Sequence, residues 1–462
     1  MNPRHQAVIH QQQRARREAS NTDAYAFFNL LTSPELFDCV ESLLPDHRER
    51  LFPPTETLSM FMAQALSADR SCQKAVNDMA VKQLLGGLKP CSTHTGGYCQ
   101  ARKRLPVEMV STLVRSTGSL ISDYSAKTWQ WMGRPVRLVD GTTVSMPDTA
   151  ANQAAYPQSR GQKPGLGFPI CRLVGIVCLS SGAVLNAALG RFRGKGGDEQ
   201  TLLRSMLDTL NAGDVLVGDA YYATYFLLCE LQRRGVDGVF EQYGARRRST
   251  DFRRGKRLGA RDHLIGLDKP QKRPAWMSLA HYEQVPEKLE IRELKVGGKI
   301  LVTTLCCANR TSKAELKSLF KDRWHVELDL RNLKTTMGLE MLSCKTPSMA
   351  INELWVYLLA HNLIRLIMAQ SASLADCLPR ELSFKHSLQL WLAWRQFADD
   401  LGRSEHLDGL LLLIAQQRVG NRAGRAEPRA LKRRPKPYPL LTRTRQSARA
   451  EIKRSGHPKR AK

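Results

Sequence analysis

The sequence predicts an α/β fold: a mixed-sheet core interrupted by a β-rich insertion, preceded by a helical N-terminal domain and followed by helices and a basic tail. Three observations carry this reading. From Asp23 to about Ser125 the apolar residues recur at helical spacing. At Pro135 the period changes to short apolar runs that end at turn residues and alternate with helices, the order expected of an α/β core. After Glu241 a long basic stretch and a hairpin delay the core's last helices; a connection of that length is a functional segment or a domain in itself.

Each element follows from its residues. Residues 1–22 are polar and basic and read as disordered. Pro53-Pro54 starts a helix that aligns Leu58, Phe61, Met62 and Leu66. A second helix runs through Ser71–Leu84 and ends near Gly86-Gly87, and a third unit, Thr93–Leu105, stops at Pro106. Val136–Asp140 is a short strand before Gly-Thr-Thr, and Arg172–Leu179 and Ala183–Leu189 form a hairpin around Ser180-Ser181-Gly182. Asp198 suits the N-cap of a helix reaching Leu210. Val215–Asp219 is a strand ending in an acid, Tyr221–Arg234 is helical, and Val239-Phe240 ends a further strand. A basic loop over 241–283 contains Arg246–Arg248, Arg253–Arg257 and Lys269–Arg273; a hairpin, Leu289–Val296 and Lys299–Cys306, then turns at Gly297-Gly298. Helices resume from Met349 to about Gln416, and Arg418–Lys462 reads as a disordered arm rich in Arg, Lys and Pro. The domain limits are therefore 1–22, 23–130, a core of 131–240 and 311–370 split by the insertion 241–310, C-terminal helices over 371–417, and the tail 418–462.

The formal net charge is +27. An excess of that size points to a polyanion partner, with nucleic acid first and an anionic membrane surface second. No stretch spans a bilayer: Leu354–Met368 is interrupted by His361, Asn362 and Arg365. The N-terminus carries no apolar signal core. The cysteines form no Cys-x-x-Cys pair or zinc spacing, so free thiols in a reducing compartment are expected. Arg102, Lys103 and Arg104, in the last turn of a short helix, form a basic patch suited to DNA or simply to the helix dipole.

Residues 320–334 read as one helix. At about 100° per residue, Phe320, Arg323, Glu327 and Lys334 fall within ~60° of one another, with Arg331 on the border. Asp322 and Asp329 point to other sides, so Glu327 is the acid placed among basic residues. Asp140 and Asp219 each close a predicted strand, where sites form in open α/β sheets. Two strand-end aspartates and a helix glutamate make a hard-oxygen cluster suited to Mg²⁺ or Mn²⁺. Two such ions roughly 3.5–4 Å apart serve phosphodiester chemistry by activating an attacking oxygen and stabilising a leaving one. Singly, each acid has a plainer use: Asp before Gly forms turns, and Glu327 can pair at i,i+4 with Arg323 or Arg331. Asp148, Asp198 and Glu199 are competing acids.

The set Phe320, Arg323, Glu327, Lys334 has the spacing Tyr-x2-Arg-x3-Glu-x6-Lys, with Phe replacing Tyr. With Leu-Val-Asp140-Gly-Thr-Thr and Val-Gly-Asp219-Ala-Tyr-Tyr, it makes the chain resemble a DDE transposase of the insertion-sequence-4 family. The stretch His94–Pro106 and the tail from Lys432 resemble family members too, so the likeness covers roughly residues 25–445. It implies a ribonuclease-H-like core, cut-and-paste transposition, and double-stranded DNA partners at the element's ends and in the target. It also implies a homodimer or higher multimer, and a bacterial cytoplasmic protein that meets the nucleoid when acting. Asp140, Asp219 and Glu327 are then the catalytic residues and hold the metal, with two ions per site expected. Arg323 and Lys334 contact DNA near the cleaved phosphate; Arg331, Phe320, Arg102, Lys103 and Arg104 are further DNA-contact candidates. Relatives that form a DNA hairpin hold a flipped base on a tryptophan, so Trp276 and Trp324 are candidates, a buried core position being the plainer expectation for each. Phe320 cannot offer a phosphate the hydroxyl that Tyr would, although it can pack under Arg323. That departure motivates two other readings: a catalytically impaired, transposase-derived DNA-binding protein or repressor, and a ribonuclease-H-like nuclease without strand joining.

Overall fold

The computed structural model describes residues 42, 52–123, 125–194, 196–242, 244, 250–397, 407–420 and 441–456. The expectations for 1–22, for nearly all of 23–51, for Arg246–Arg248 and for much of the tail lie outside these residues.

The N-terminal part is helical: α1 (Pro54–Leu66), α2 (Cys72–Leu85), α3 (Gly96–Arg104) and α4 (Val107–Asp123). Pro54 occupies the first turn of α1, where no N–H is needed. Ser71 caps α2 by accepting from the Lys74 N–H. Phe52, Met60, Val76, Tyr98 and Ala101 close a small core of their own.

The strands are β1 (Val136–Ser145), β2 (Ile170–Cys178), β3 (Val184–Arg191), β4 (Val215–Gly218), β5 (Asp237–Glu241), β6 (Lys256–Gly259), β7 (Asp262–Asp268), β8 (Lys288–Val296) and β9 (Lys299–Thr303). Helix α5 (Ala150–Ala155) follows β1, α6 (Glu199–Arg204) follows β3, α7 (Tyr225–Arg233) follows β4, and α8 (Leu279–Gln284) follows β7. All nine strands join one sheet in the order β3-β2-β1-β4-β5-β9-β8-β7-β6. β1, β2 and β3 are antiparallel, β4 is parallel to β1 and β5 to β4, and β9, β8, β7 and β6 continue antiparallel.

Two expectations are corrected here. β1 does not stop at Asp140 but runs on to Ser145, because β-branched Thr142, Thr143 and Val144 keep pairing with Leu173, Arg172 and Cys171. The strands of the insertion extend the core sheet edge to edge, with β9 paired to β5. β6 and β7 lie inside what reads as loop, since Lys256, Arg257, Asp262 and Asp268 dilute the apolar alternation.

Alternating strand residues feed two helical layers. Leu138, Val144, Leu173, Val177, Val217 and Leu301 meet α1 and α4 and the later helices, among them α11 (Pro347–Leu374). Val139, Val174, Ile176, Leu216 and Phe240 meet α6 and α7 on the other face. Between β9 and α11 run α9 (Lys313–Asp322) and α10 (Trp324–Arg331), followed by a π-helical turn over Asn332–Thr336. The predicted single helix is therefore jointed at Arg323 and widened at Lys334. α11 is buried nearly all round rather than on one face; Asn362 in it accepts from the Val184 N–H and donates to the Val114 and Val184 carbonyls. Helices α12 (Phe384–Phe397) and α13 (Leu407–Ala415) pack beside it. The tail, expected to be without structure, carries α14 (Arg445–Ser455), capped by Thr444. No helix among the described residues is long and apolar enough to cross a membrane, and their cysteines are free.

Candidate active site

Asp140 sits in mid-strand, opposite Gly175 of β2. Val215, Leu216 and Val217 of β4 lie beside Val136, Arg137 and Leu138; continuing that register brings Asp219 level with Asp140. The chain leaves the sheet at this point. Asp219 Oδ1 accepts from the Tyr221 N–H at 2.8 Å and caps a 3₁₀ turn over Ala220–Tyr222. Gly218 must lack a side chain, because a Cβ there would stand 2.9 Å from both Tyr222 Cδ2 and Val139 Cγ1.

Glu327 comes to this point on α10. A capping box, Ser312 with Glu315, starts α9, and Leu316, Leu319, Val326 and Leu330 press the two helices onto the core. Arg323, at the joint, donates through Nη2 to Glu327 Oε1 at 2.7 Å, and its Nη1 lies 3.9 Å from Asp140 Oδ2. One guanidinium thus ties the third acid to the first. Lys334 Nζ reaches Thr142 Oγ1 at 3.4 Å. Thr142 shares a strand face with Asp140, so the lysine lies along the same side of β1.

Burial pushes the Asp140 carboxyl up to about 6, the Gly141 N–H and Arg323 pull it down, and the nearby Asp219 and Glu199 raise it again. Glu199, the first residue of α6 and one of the competing acids in the sequence, belongs to this group. A Cβ on Gly141 would stand 2.5 Å from Glu199 Cδ. Tyr222 donates its hydroxyl to Glu199 Oε2 at 3.4 Å, and Arg172 Nε lies 3.8 Å from Oε1. Burial, chiefly, raises the Glu199 carboxyl. Its neighbour Asp198 is the N-cap, as the spacing predicts, accepting from the Thr201 N–H at 3.0 Å. The one available signal for Glu199 was its place directly after that cap. Asp148 holds Gln153 instead.

The other predicted contacts divide. Lys103 and Arg104 are exposed at the end of α3, and Arg331 is exposed at the end of α10. Arg102 is not a surface residue: its guanidinium lies over the rings of Phe61 and Tyr98 and donates to Gln64 and Cys72. The patch therefore contains two cations rather than three. Phe320 is also buried, with Lys299 Nζ 5.5 Å and Arg323 Cζ 6.0 Å from its ring centre, so its ring packs beside Arg323. Neither tryptophan is a core residue. Trp324 is 51% exposed beside Arg323; Trp276 is 45% exposed, with Phe226 at its edge and Arg204 over its face at 4.1 Å.

Among the described residues no three carboxylate, His or Cys side chains converge closely enough to hold a metal as they stand. The donor chemistry nonetheless fits a hard divalent ion. Asp140, Asp219 and Glu327 offer oxygen only, and the raised Asp140 carboxyl marks negative charge held in poor solvent, which a cation relieves.

The family model for the transposase DDE domain matches residues 131–363, half of the chain and all three acids. The chain belongs to the DDE transposase family. Over 411 residues this transposase is 28% identical to "Transposase InsG for insertion sequence element IS4" of Escherichia coli (strain K12), covering 87% of this chain and 90% of that protein. It is therefore a DDE transposase of the insertion-sequence-4 type. It is also 28% identical over 142 residues to "Putative transposase InsZ" of the same strain, which covers 30% of this chain and 46% of that one. DDE domains generally work with divalent metal ions and act on DNA, and Asp140, Asp219 and Glu327 all lie within the matched residues.

Proposed function

We propose that this transposase cuts DNA at the ends of an insertion sequence and joins them to a target, in cut-and-paste fashion, with a ribonuclease-H-like core. The carrying observation is that Asp219 comes level with Asp140 on the adjoining strand while Arg323 links Asp140 to Glu327. The strand order β3-β2-β1-β4-β5, three antiparallel strands and then two parallel ones, supports the ribonuclease-H-like assignment.

Asp140, Asp219 and Glu327 are the residues that would hold two Mg²⁺ or Mn²⁺ ions. When bound, these ions supply activation of the attacking oxygen and stabilisation of the leaving one. The remaining steps belong to the chain. In the first cut, water adds to the scissile phosphorus, the bond to the 3′ oxygen breaks, and a 3′-OH is left; in joining, that 3′-OH attacks a target phosphorus, the target's own P–O3′ bond breaks, and the departing 3′ oxygen takes up a proton. Arg323, braced by Phe320, sets the position of Glu327 and contacts the phosphate. Lys334 binds the strand beside Asp140. Lys103, Arg104 and Arg331 hold the flanking duplex, and the basic residues of the tail, including Arg445, Arg449 and Lys453 of α14, add salt-sensitive phosphate contacts. Trp324, exposed next to Arg323, is the better placed of the two tryptophans to hold a flipped base. The working form is a homodimer or higher multimer that pairs two ends.

The test uses the purified full chain, Mg²⁺ and duplexes taken from the DNA flanking the coding region. Cleavage at the inverted ends and transfer to a target plasmid are expected, and Glu327→Gln should bind the ends without cutting. Binding with no cleavage in Mg²⁺ or Mn²⁺ would replace this reading with a DNA-binding repressor. Cleavage without joining would leave a nuclease.

A further inference from the structure

Arg70 stands between the helical domain and the catalytic sheet. It follows α1 with a φ of 48°, a left-handed backbone that arginine rarely adopts. Gln64 Nε2 holds that turn by donating to the Arg70 carbonyl at 2.8 Å. The guanidinium crosses to the other end of the chain, where Nη1 donates to the Gly338 carbonyl at 2.7 Å. Gly338 has a φ of 83°, and a Cβ there would fall 1.6 Å from Arg70 Nη2, so only glycine lets the arginine lie against the backbone. This glycine closely follows the π-helical turn that carries Lys334.

Beside this contact opens a cleft of about 450 Å³, lined by Arg70, Ser145, Lys334, Thr335 and Glu340, among others. Two cations and two hydroxyls face one carboxylate, so the lining favours an anion. Guanidinium has five N–H donors, and the Gly338 bond is the one Arg70 uses among the described residues. Its Nε is enclosed, so a phosphate entering the cleft meets the outer nitrogens, whose one bond among the described residues is Nη1 to Gly338. Position identifies the anion. Lys334 Nζ is 3.4 Å from Thr142 Oγ1, two residues along β1 from Asp140, and Ser145 closes the same strand. The cleft therefore opens where a strand leaving the three acids would pass.

We propose that this cleft binds a DNA backbone phosphate within a few nucleotides of the scissile one, with Arg70 of the helical domain completing the site. The proposal rests on the transposase reading of the acids. Arg70 then serves two purposes, because the residue that joins the two parts of the protein also senses the strand running between them.

The experiment measures binding of end duplexes to the full chain, with single neutral methylphosphonate linkages placed in turn on both sides of the scissile phosphate. At one linkage, wild-type affinity should fall about tenfold, the size of one charge-assisted contact. Arg70→Gln should lose about the same on natural DNA and be indifferent to that linkage. Because Arg70→Gln also loosens the Gly338 contact, Thr335→Glu serves as a second variant; it adds a negative charge to the cleft, keeps the contact, and should also weaken binding. Wild-type affinity in both variants, or Arg70→Gln remaining as sensitive as wild type at every linkage, overturns the proposal. Cleavage of unmodified ends by the wild-type chain is read separately, so failure of the transposase reading is not mistaken for failure of the cleft.

Discussion

Glu327 and Asp329 lie two residues apart on α10 and differ in almost everything else. Asp329 is fully buried; Arg380 Nη1 lies 2.8 Å from each of its oxygens, and Arg365 donates to it as well. The Glu327 side chain is 33% exposed and shares one arginine with Asp140. A buried carboxylate with two arginines has its charge and lone pairs answered within the fold. Around Asp140, the acid that shares Arg323 with Glu327, the balance is reversed: burial pushes its carboxyl up to about 6, and Asp219 and Glu199 add to the rise. One acid is finished by the protein, and the other is left with capacity for something that is not protein.

The sharpest way to break this comparison is to neutralise each acid in turn. Glu327→Gln should lower end cleavage by ~10³-fold or more, while chemical denaturation moves by less than about 1 kcal/mol. Asp329→Asn should do the opposite, losing ~3–5 kcal/mol of stability because two buried arginines lose their partner. Equal stability losses in the two variants would erase the distinction.

Asp140→Asn sharpens it further. The folded carboxyl titrates at about 6 against an ordinary value of 3.8, so at neutral pH ionisation opposes folding. Without added metal, this variant should be more stable than wild type by ~2 kcal/mol although it does not cleave. In wild type the same penalty should lift as pH falls from about 6 towards 3.8, and divalent-ion affinity should drop over that window because the ligand becomes protonated. Denaturation curves and metal titrations at several pH values read both effects. The smallest expected effect separates neighbours in α3. Lys103→Ala and Arg104→Ala should each reduce the slope of log affinity against log salt by about 1. Arg102→Ala should leave that slope alone and lower stability by ~2 kcal/mol.

What was legible in the sequence was local. The spacing of Arg323 and Glu327 implies a shared helix face, and those two side chains do meet. Gly218-Asp219 marks the end of a strand, and it is one. Asp198 caps its helix. The rest depends on partners far along the chain. Arg102 looks like a surface cation until Gln64, Phe61 and Cys72 enclose it. Asp329 reads as one more helical acid until Arg365 and Arg380 arrive from α11 and the turn after it. Glu199 joins the site only because β3 and α6 bring it over Gly141. β1 outruns its predicted end because β2 offers it partners. Apolar periodicity carries no information about any of these meetings.

The sheet that joins insertion to core has a mechanical meaning. β6, at its outer edge, presents Lys256 and Arg257, and β7, β8 and β9 connect that edge to β5 by backbone hydrogen bonds. The chain then passes from β9 through a short link into α9 and on to Glu327. Packed, hydrogen-bonded layers are stiff and pass displacement along rather than absorbing it. One continuous run of paired backbone and short connections thus links the β6 rim to the helix that carries Glu327.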